Sequence, residues 1–176
     1  MNPHATVQPE NTMNALYFSS LVISALLTGI SAGLFYSYAC SVNPGLGKLG
    51  DAEYLRAMQE INKAILNPLF FISFMGSLLV LGVATWQSYG NNTGTFYWLL
   101  AALLLYGIGV FGMTMFANVP LNDRLDQFPV LTATAAEVAA MRKAFEQPWN
   151  AYHSIRTVAS IVSFVLVLVS LTKHKP

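Results

Sequence analysis

Charge is what this sequence has least of. Only 10% of its 176 residues are Asp, Glu, Lys or Arg, against 55% hydrophobic. That balance is too apolar for a soluble domain of this length and reads as one small membrane domain. From Ala64 to Asn122 there is no Asp, Glu, Lys, Arg or His. The interval is too long for a single crossing, so it is expected to hold two helices and a turn. The turn is placed at Ser88 to Thr95, where Gly90-Asn91-Asn92-Thr93-Gly94 interrupts any helix. Cysteine is nearly missing too: Cys40 alone excludes intrachain disulfides and cysteine-rich metal sites. A formal net charge of +1 gives no reason to expect nucleic acid as a partner. Residues 1–14 carry no Lys or Arg, and the apolar stretch behind them is longer than an ordinary secretory h-region, so it is expected to be a retained helix.

What the chain does have is four uncharged apolar stretches. Helices are expected over Ala15 to Ala39, Leu69 to Gln87, Tyr97 to Ala117 and Tyr152 to Leu171, each near the ~20 residues that cross ~30 Å of hydrocarbon. The expected fold is all-α: a four-transmembrane-helix, up-down-up-down bundle over residues 15–172, with tails at 1–14 and 173–176. The first and third connections hold Lys48, Arg56, Lys63, Arg124, Arg142, Lys143 and, at the helix edge, Arg156; the other side has Lys173 and Lys175. This bias puts those two connections in the cytoplasm and both termini outside a plasma or inner membrane.

Both long connections are expected to carry short amphipathic helices. Asp51 can N-cap a helix to about Leu66 with Tyr54, Met58, Ile61 and Ile65 on one face, and Thr134 can cap another through Phe145. Pro148 and Pro68 suit the first turns of the fourth and second spans.

Two spans have a polar face. Trp149, His153, Arg156, Ser160 and Ser163 align on the fourth, and Tyr17, Ser20, Ser24, Thr28, Ser31 and Tyr38 align on the first, beside a ridge of Ala25, Gly29, Gly33 and Ser37. Polar side chains avoid lipid, so both stripes should face the bundle interior. The serines and glycines are accounted for by helix packing alone. Arg156 asks for more, since an Arg costs about 2.5 to 3.5 kcal/mol at a bilayer centre. It either snorkels to the surface or marks an interior cavity.

His153, one turn before Arg156, exchanges protons near neutral pH and serves either structure or catalysis. The spans contain no acid and no second His, so the paired ligands of a di-metal or bis-imidazole haem bundle are missing. No cofactor is expected, although haem held through His153 alone stays open. Asn118 and Asn122 flank Pro120, which frees backbone carbonyls. Their amides either satisfy those carbonyls or hold a carbonyl, phenol or oxyanion of a bound molecule. Asn62 and Asn67 present the same two options. Trp149 and Tyr152 read as interfacial belt residues or as walls of a ring-binding pocket.

Over about Leu34 to Thr157 the chain resembles the anthrone oxygenase-like integral membrane proteins. The resemblance rests on Phe35 through Asn43-Pro44-Gly45-Leu46, Met58-Gln59-x-Ile61-Asn62, Asn67-Pro68-x-Phe70, Asn118-Val119-Pro120-Leu121-Asn122, and Trp149 with Arg156. Many members carry Asn where this chain has His153. The resemblance implies a four-helix membrane fold and oxidation of anthrones to anthraquinones, with no established metal or flavin.

The leading expectation is therefore an oxygenase of a lipophilic, enolisable aromatic substrate drawn from the bilayer. His153 would remove a proton next to a ring carbonyl, and Arg156, Asn118 and Asn122 would hold the enolate that reacts with O2. Asn62, Asn67, Tyr38, Trp149 and Thr114 are the substrate-binding candidates. The alternative is a non-catalytic membrane subunit or a lipid- or quinone-binding module, acting as a homo-oligomer or with a membrane partner. A channel or transporter stands third, lacking an acidic relay or an inverted repeat.

Overall fold

The computed structural model describes residues 9–90 and 92–173. Most of the tail expected at 1–14, Asn91 of the expected turn, and residues 174–176, with Lys175, lie outside them. Among the described residues the chain is helical, without strands. Its α-helices are α1 (Pro9–Ser37), α2 (Asn43–Leu46), α3 (Asp51–Ala64), α4 (Pro68–Ser88), α5 (Thr93–Leu105), α6 (Val119–Asp126) and α7 (Ala135–Lys173). Three π-helical segments, Tyr38–Val42, Tyr106–Gly112 and Thr114–Asn118, continue the helices that precede them. Four stretches are long and apolar enough to cross a membrane: Met13–Leu46, Pro68–Ser88, Thr93–Asp126 and Ala135–Lys173.

These boundaries depart from the expected ones for local reasons. Asn118-Val119-Pro120 does not end the third span. The helix passes through the wider π register of Thr114–Asn118 and runs on as α6, with Pro120 in its first turn, where a missing N–H costs little. Tyr38–Val42 stands before Pro44 in the same way, so helix persists past Ala39 to Leu46. The break expected at Pro148 does not occur either. α7 is continuous through it, because Phe145 and Trp149 are held in one core cluster on either side of the proline. Asp51 is the first residue of α3 rather than its cap; Gly50 is the cap, and its N–H donates to Glu53 Oε2 at 3.1 Å. Thr134 does cap α7, in a reciprocal box with Glu137. Gly90 turns the chain between α4 and α5 at φ +78°, open to glycine without strain.

α1 packs against α4 and α7, and α5 against α7 and α4. Polar contacts cross the bundle at several levels. Ser20 Oγ meets Gln87 Oε1 at 2.7 Å. Deeper in, the Tyr106 hydroxyl lies 3.0 Å from both Ser31 Oγ and the Phe74 carbonyl, and Ser163 Oγ donates to the Ala102 carbonyl at 2.9 Å. Both expected inward stripes are inward: Ser20, Ser24, Thr28 and Ser31 on α1, and Trp149, His153, Arg156, Ser160 and Ser163 on α7, are buried. The small-residue ridge is used only in part. Gly29 lies under Phe164, whose ring would be 3.1 Å from an added Cβ, whereas Gly33 and Ser37 face outward. At one end α3, α6 and the start of α7 form a second apolar cluster around Tyr54, Leu55, Met58, Leu125, Phe145 and Trp149.

Candidate functional site

A cavity of about 430 Å³ lies where this second cluster meets the bundle, within the ~300–1,000 Å³ usual for small-molecule sites. Its wall is mainly apolar, with Leu34, Phe35, Ile61, Ile65, Phe70, Phe74 and Met115 contributing. Against that background the polar side chains stand out: Tyr38 and Thr114 from the π segments, Gln59 and Asn62 from α3, Asn122 from α6, and His153 and Arg156 from α7, beside Trp149.

Arg156 governs the electrostatics of this wall. It is 6% exposed, and none of the ion pairs among the described residues includes it. One terminal nitrogen donates to Thr114 Oγ1 at 3.2 Å and the other to His153 Nδ1 at 3.1 Å. The guanidinium also lies over the Phe35 ring at 5.0 Å and the Trp149 ring at 5.5 Å, contacts that soften the loss of water around a cation. Its Nε–H is buried without a hydrogen-bond partner among the described residues.

The contacts of His153 fix its tautomer. An arginine only donates, so Nδ1 must accept; the Phe35 carbonyl, 3.2 Å from Nε2, only accepts, so Nε2 must carry the proton. His153 is therefore neutral in this arrangement, with its single ring lone pair held by Arg156. Its ring stacks on Trp149 at 5.1 Å and meets Tyr38 edge-on at 5.2 Å. Tyr38 in turn donates to Met58 Sδ at 3.1 Å, which ties this aromatic trio to α3.

The asparagines divide between the two roles open to them. Asn67 stands apart from the cavity and caps α4: its Oδ1 accepts from the Phe70 N–H at 3.1 Å and its Nδ2 donates to the Ala64 carbonyl at 2.8 Å. Asn118 is buried behind the wall and donates to the Trp149 carbonyl at 3.3 Å. Asn122 accepts from the Trp149 indole N–H at 2.8 Å, so the tryptophan is a fixed wall rather than a belt residue. Asn62 lines the cavity and its buried Nδ2 has no hydrogen-bond partner among the described residues. Sequence reasoning missed Phe35 as the carbonyl that orients His153, Gln59 as the clamp whose Nε2 donates to the Leu125 and Phe128 carbonyls, and the phenylalanine wall of α4. Phe35 lies one turn before Tyr38 on the same face, which was the available signal.

At the rim, Lys63 and Asp126 pair at 3.0 Å, both exposed. The hydrogen bond to Asp126 raises the Lys63 pKa above its ordinary value. Among the described residues no group of three or more His, Cys, Asp or Glu side chains is arranged to hold a metal ion.

The family model described as anthrone oxygenase matches residues 58–166. The chain belongs to the anthrone oxygenase family. The match runs from the middle of α3 through most of α7 and so includes Asn62, Thr114, Asn118, Asn122, Trp149, His153 and Arg156, while Phe35 and Tyr38 come to the wall of this family member from α1 and its π extension, ahead of the matched residues. No curated protein and no solved structure matches the chain.

Proposed function

We propose that this member of the anthrone oxygenase family is an integral membrane oxygenase acting on a lipophilic, enolisable aromatic ketone of the anthrone type. The observation that carries the reading is Arg156, a buried cation without a carboxylate partner among the described residues, on the wall of a mainly apolar cavity of about 430 Å³. Such a group is most useful where negative charge appears on a ligand oxygen in a dry site.

The chemistry balances with O2 as the sole oxidant. Loss of a proton from the ring CH2 places charge on the carbonyl oxygen, which Arg156 holds. The resulting enolate gives its electrons to O2, a carbon–oxygen bond forms at the former CH2, and protonation yields a hydroperoxide. Loss of the remaining C–H proton breaks the O–O bond, leaving a second carbonyl and releasing water. The ring carbon loses four electrons and O2 gains them.

His153 fits this sequence as a conditional base. While Arg156 donates to Nδ1 the imidazole has no lone pair to offer; a substrate oxygen that draws the guanidinium away releases Nδ1 at the same moment. Asn122 and Asn118 hold Trp149 from two sides, and Trp149, stacked between Phe145 and His153, fixes the imidazole against the cavity. No cofactor enters this scheme, and a haem bound through His153 would have to displace one of its two ring hydrogen bonds. The alternating, up-and-down order of the spans, with the cavity end cytoplasmic and both termini outside, belongs to the same proposal and rests on the basic residues of the first and third connections.

Anthrone-dependent oxygen uptake by purified protein in lipid nanodiscs is the test. Uptake lost in Arg156→Gln and reduced in His153→Gln is expected; uptake unchanged when both are replaced removes the mechanism. A second reading, a non-catalytic quinone- or lipid-binding subunit, draws on the same engaged imidazole and predicts retained ligand without oxygen consumption.

A further inference from the structure

Two hydrogen-bond donors on this cavity are left over, and they stand on different helices. Arg156 Nε on α7 and Asn62 Nδ2 on α3 are both buried, both belong to residues lining the same cavity, and neither has a partner among the described residues. Burying a donor without an acceptor is unfavourable, so a pair of them on one mainly apolar cavity is matched to acceptors on what binds there. Neighbouring polar groups do not explain Asn62. Gln59, one turn earlier on α3, spends its amide on the Leu125 and Phe128 carbonyls, and Lys63 is paired with Asp126 at the rim.

We infer that the site is built for a ligand with two acceptor oxygens at opposite edges of a flat ring system, one taken by Arg156 and the other by the Asn62 amide. This deepens the oxygenase reading and rests on it for the order of events. Anthrone has one ring oxygen, which Arg156 takes. The second oxygen arrives on the opposite carbon of the central ring when O2 adds, and there it meets Asn62. Asn62 is in that case a specificity-determining residue for the dione that leaves the site and for the oxygenated intermediate before it. It does not bind the ketone that enters.

Anaerobic binding separates this assignment from the oxygenase reading, since no turnover is needed. The probes are 9,10-anthraquinone with two opposed oxygens, anthrone with one and anthracene with none, titrated by calorimetry into nanodisc-embedded protein. Anthraquinone is expected to bind tightest and anthracene weakest. Asn62→Leu should weaken anthraquinone about fivefold, the equivalent of one hydrogen bond, and leave anthrone unchanged. Asn62→Asp, which keeps the shape and removes the donor, should weaken anthraquinone at least as much. Arg156→Gln should weaken both oxygenated probes. Equal losses for anthrone and anthraquinone in Asn62→Leu would place both donors on one oxygen and overturn the assignment. So would no loss in either Asn62 variant, or anthraquinone binding no tighter than anthracene. Thermal melts without ligand identify a variant that has failed to fold, and Asn62→Asp then decides. Absence of oxygen uptake with this ranking intact would remove the oxygenase reading alone.

Discussion

Arg156 is held by neutral partners, and that choice has an energetic consequence. A buried guanidinium gives up its hydration, and here it is repaid by one hydroxyl, one imidazole and two ring faces, with no opposite charge paired to it among the described residues. Replacing it with Met, similar in length and apolar, removes the desolvation cost while keeping the volume. Arg156→Met is therefore expected to leave the melting temperature within a few degrees of the parent, the relieved desolvation offsetting about 1–3 kcal/mol for a buried His153 Nδ1 left without its donor, and to lower oxygen uptake at least a hundredfold. A melting temperature that falls by ten degrees would instead make Arg156 a structural residue. His153 behaves differently, because its Nε2–H and Nδ1 hold Phe35 and Arg156 together. His153→Phe strands both partners and is expected to cost about 1–3 kcal/mol, read as a lower midpoint in chemical denaturation; an unchanged midpoint would show that the Phe35 and Arg156 contacts are dispensable.

Between the elements, two contacts set how tightly the site end is built. Gly109, in the Tyr106–Gly112 π segment, faces Ala159 of α7 so closely that an added Cβ would lie 2.7 Å from the Ala159 Cβ. Gly109→Ala must push the Tyr106–Gly112 segment and α7 apart, at about 1–3 kcal/mol for overpacking. The pair Gly109→Ala with Ala159→Gly should recover most of that loss, and a double variant no better than the single one would mean that the helices meet elsewhere. Arg142 fastens the connection beside the second apolar cluster: it donates to the Gly47 and Leu49 carbonyls, pairs with Asp51 and Glu146, and lies over Tyr54. A lysine has no planar fork to serve these at once, so Arg142→Lys should behave like Arg142→Ala, each giving a lower denaturation midpoint and faster proteolysis between α2 and α3. A lysine variant as stable as the parent would refute the fork argument. These elements also mark what the residues announce and what they hide. The α7 stripe was legible because burial follows the helical period from Trp149 to Ser163, and the proline-bearing segments were legible as special. That they would continue the helix through π turns was not, since a proline reads the same before a break as inside a widened turn. The Tyr38–Met58 and Gln59–Leu125 contacts join residues far apart in the chain, and no local pattern carries them.

Taken whole, the molecule shows lipid an apolar face that reaches the cavity itself. Leu26, Ile30, Leu79, Val83, Leu104, Ile108 and Phe116 are exposed along the spans, a distribution that suits hydrocarbon and would be a liability in water. Several residues are exposed and line the cavity at once: Leu66 (66%), Phe71 (40%), Met115 (43%) and Leu34 (37%). These residues, on α1, α4, the Thr114–Asn118 segment and the turn before α4, join the cavity lining to the exposed apolar face. Under the proposed function, a ligand already dissolved in the bilayer would enter past these side chains, without a passage through water between the exposed charges of Lys63 and Asp126 at the rim. The rate should then follow the mole fraction of substrate in the membrane. In reconstituted vesicles at fixed protein and fixed total anthrone, adding empty vesicles of the same lipid should lower initial oxygen uptake in proportion to the added lipid once exchange is complete. Uptake that tracks the aqueous anthrone concentration and ignores the lipid dilution would place the portal at the charged rim. Met115, 43% exposed and on the lining, makes no hydrogen bond to Arg156 or His153; if substrate enters past it, Met115→Trp is expected to raise the apparent KM several-fold while leaving kcat within twofold, because a bulkier side chain there slows arrival and not the chemistry.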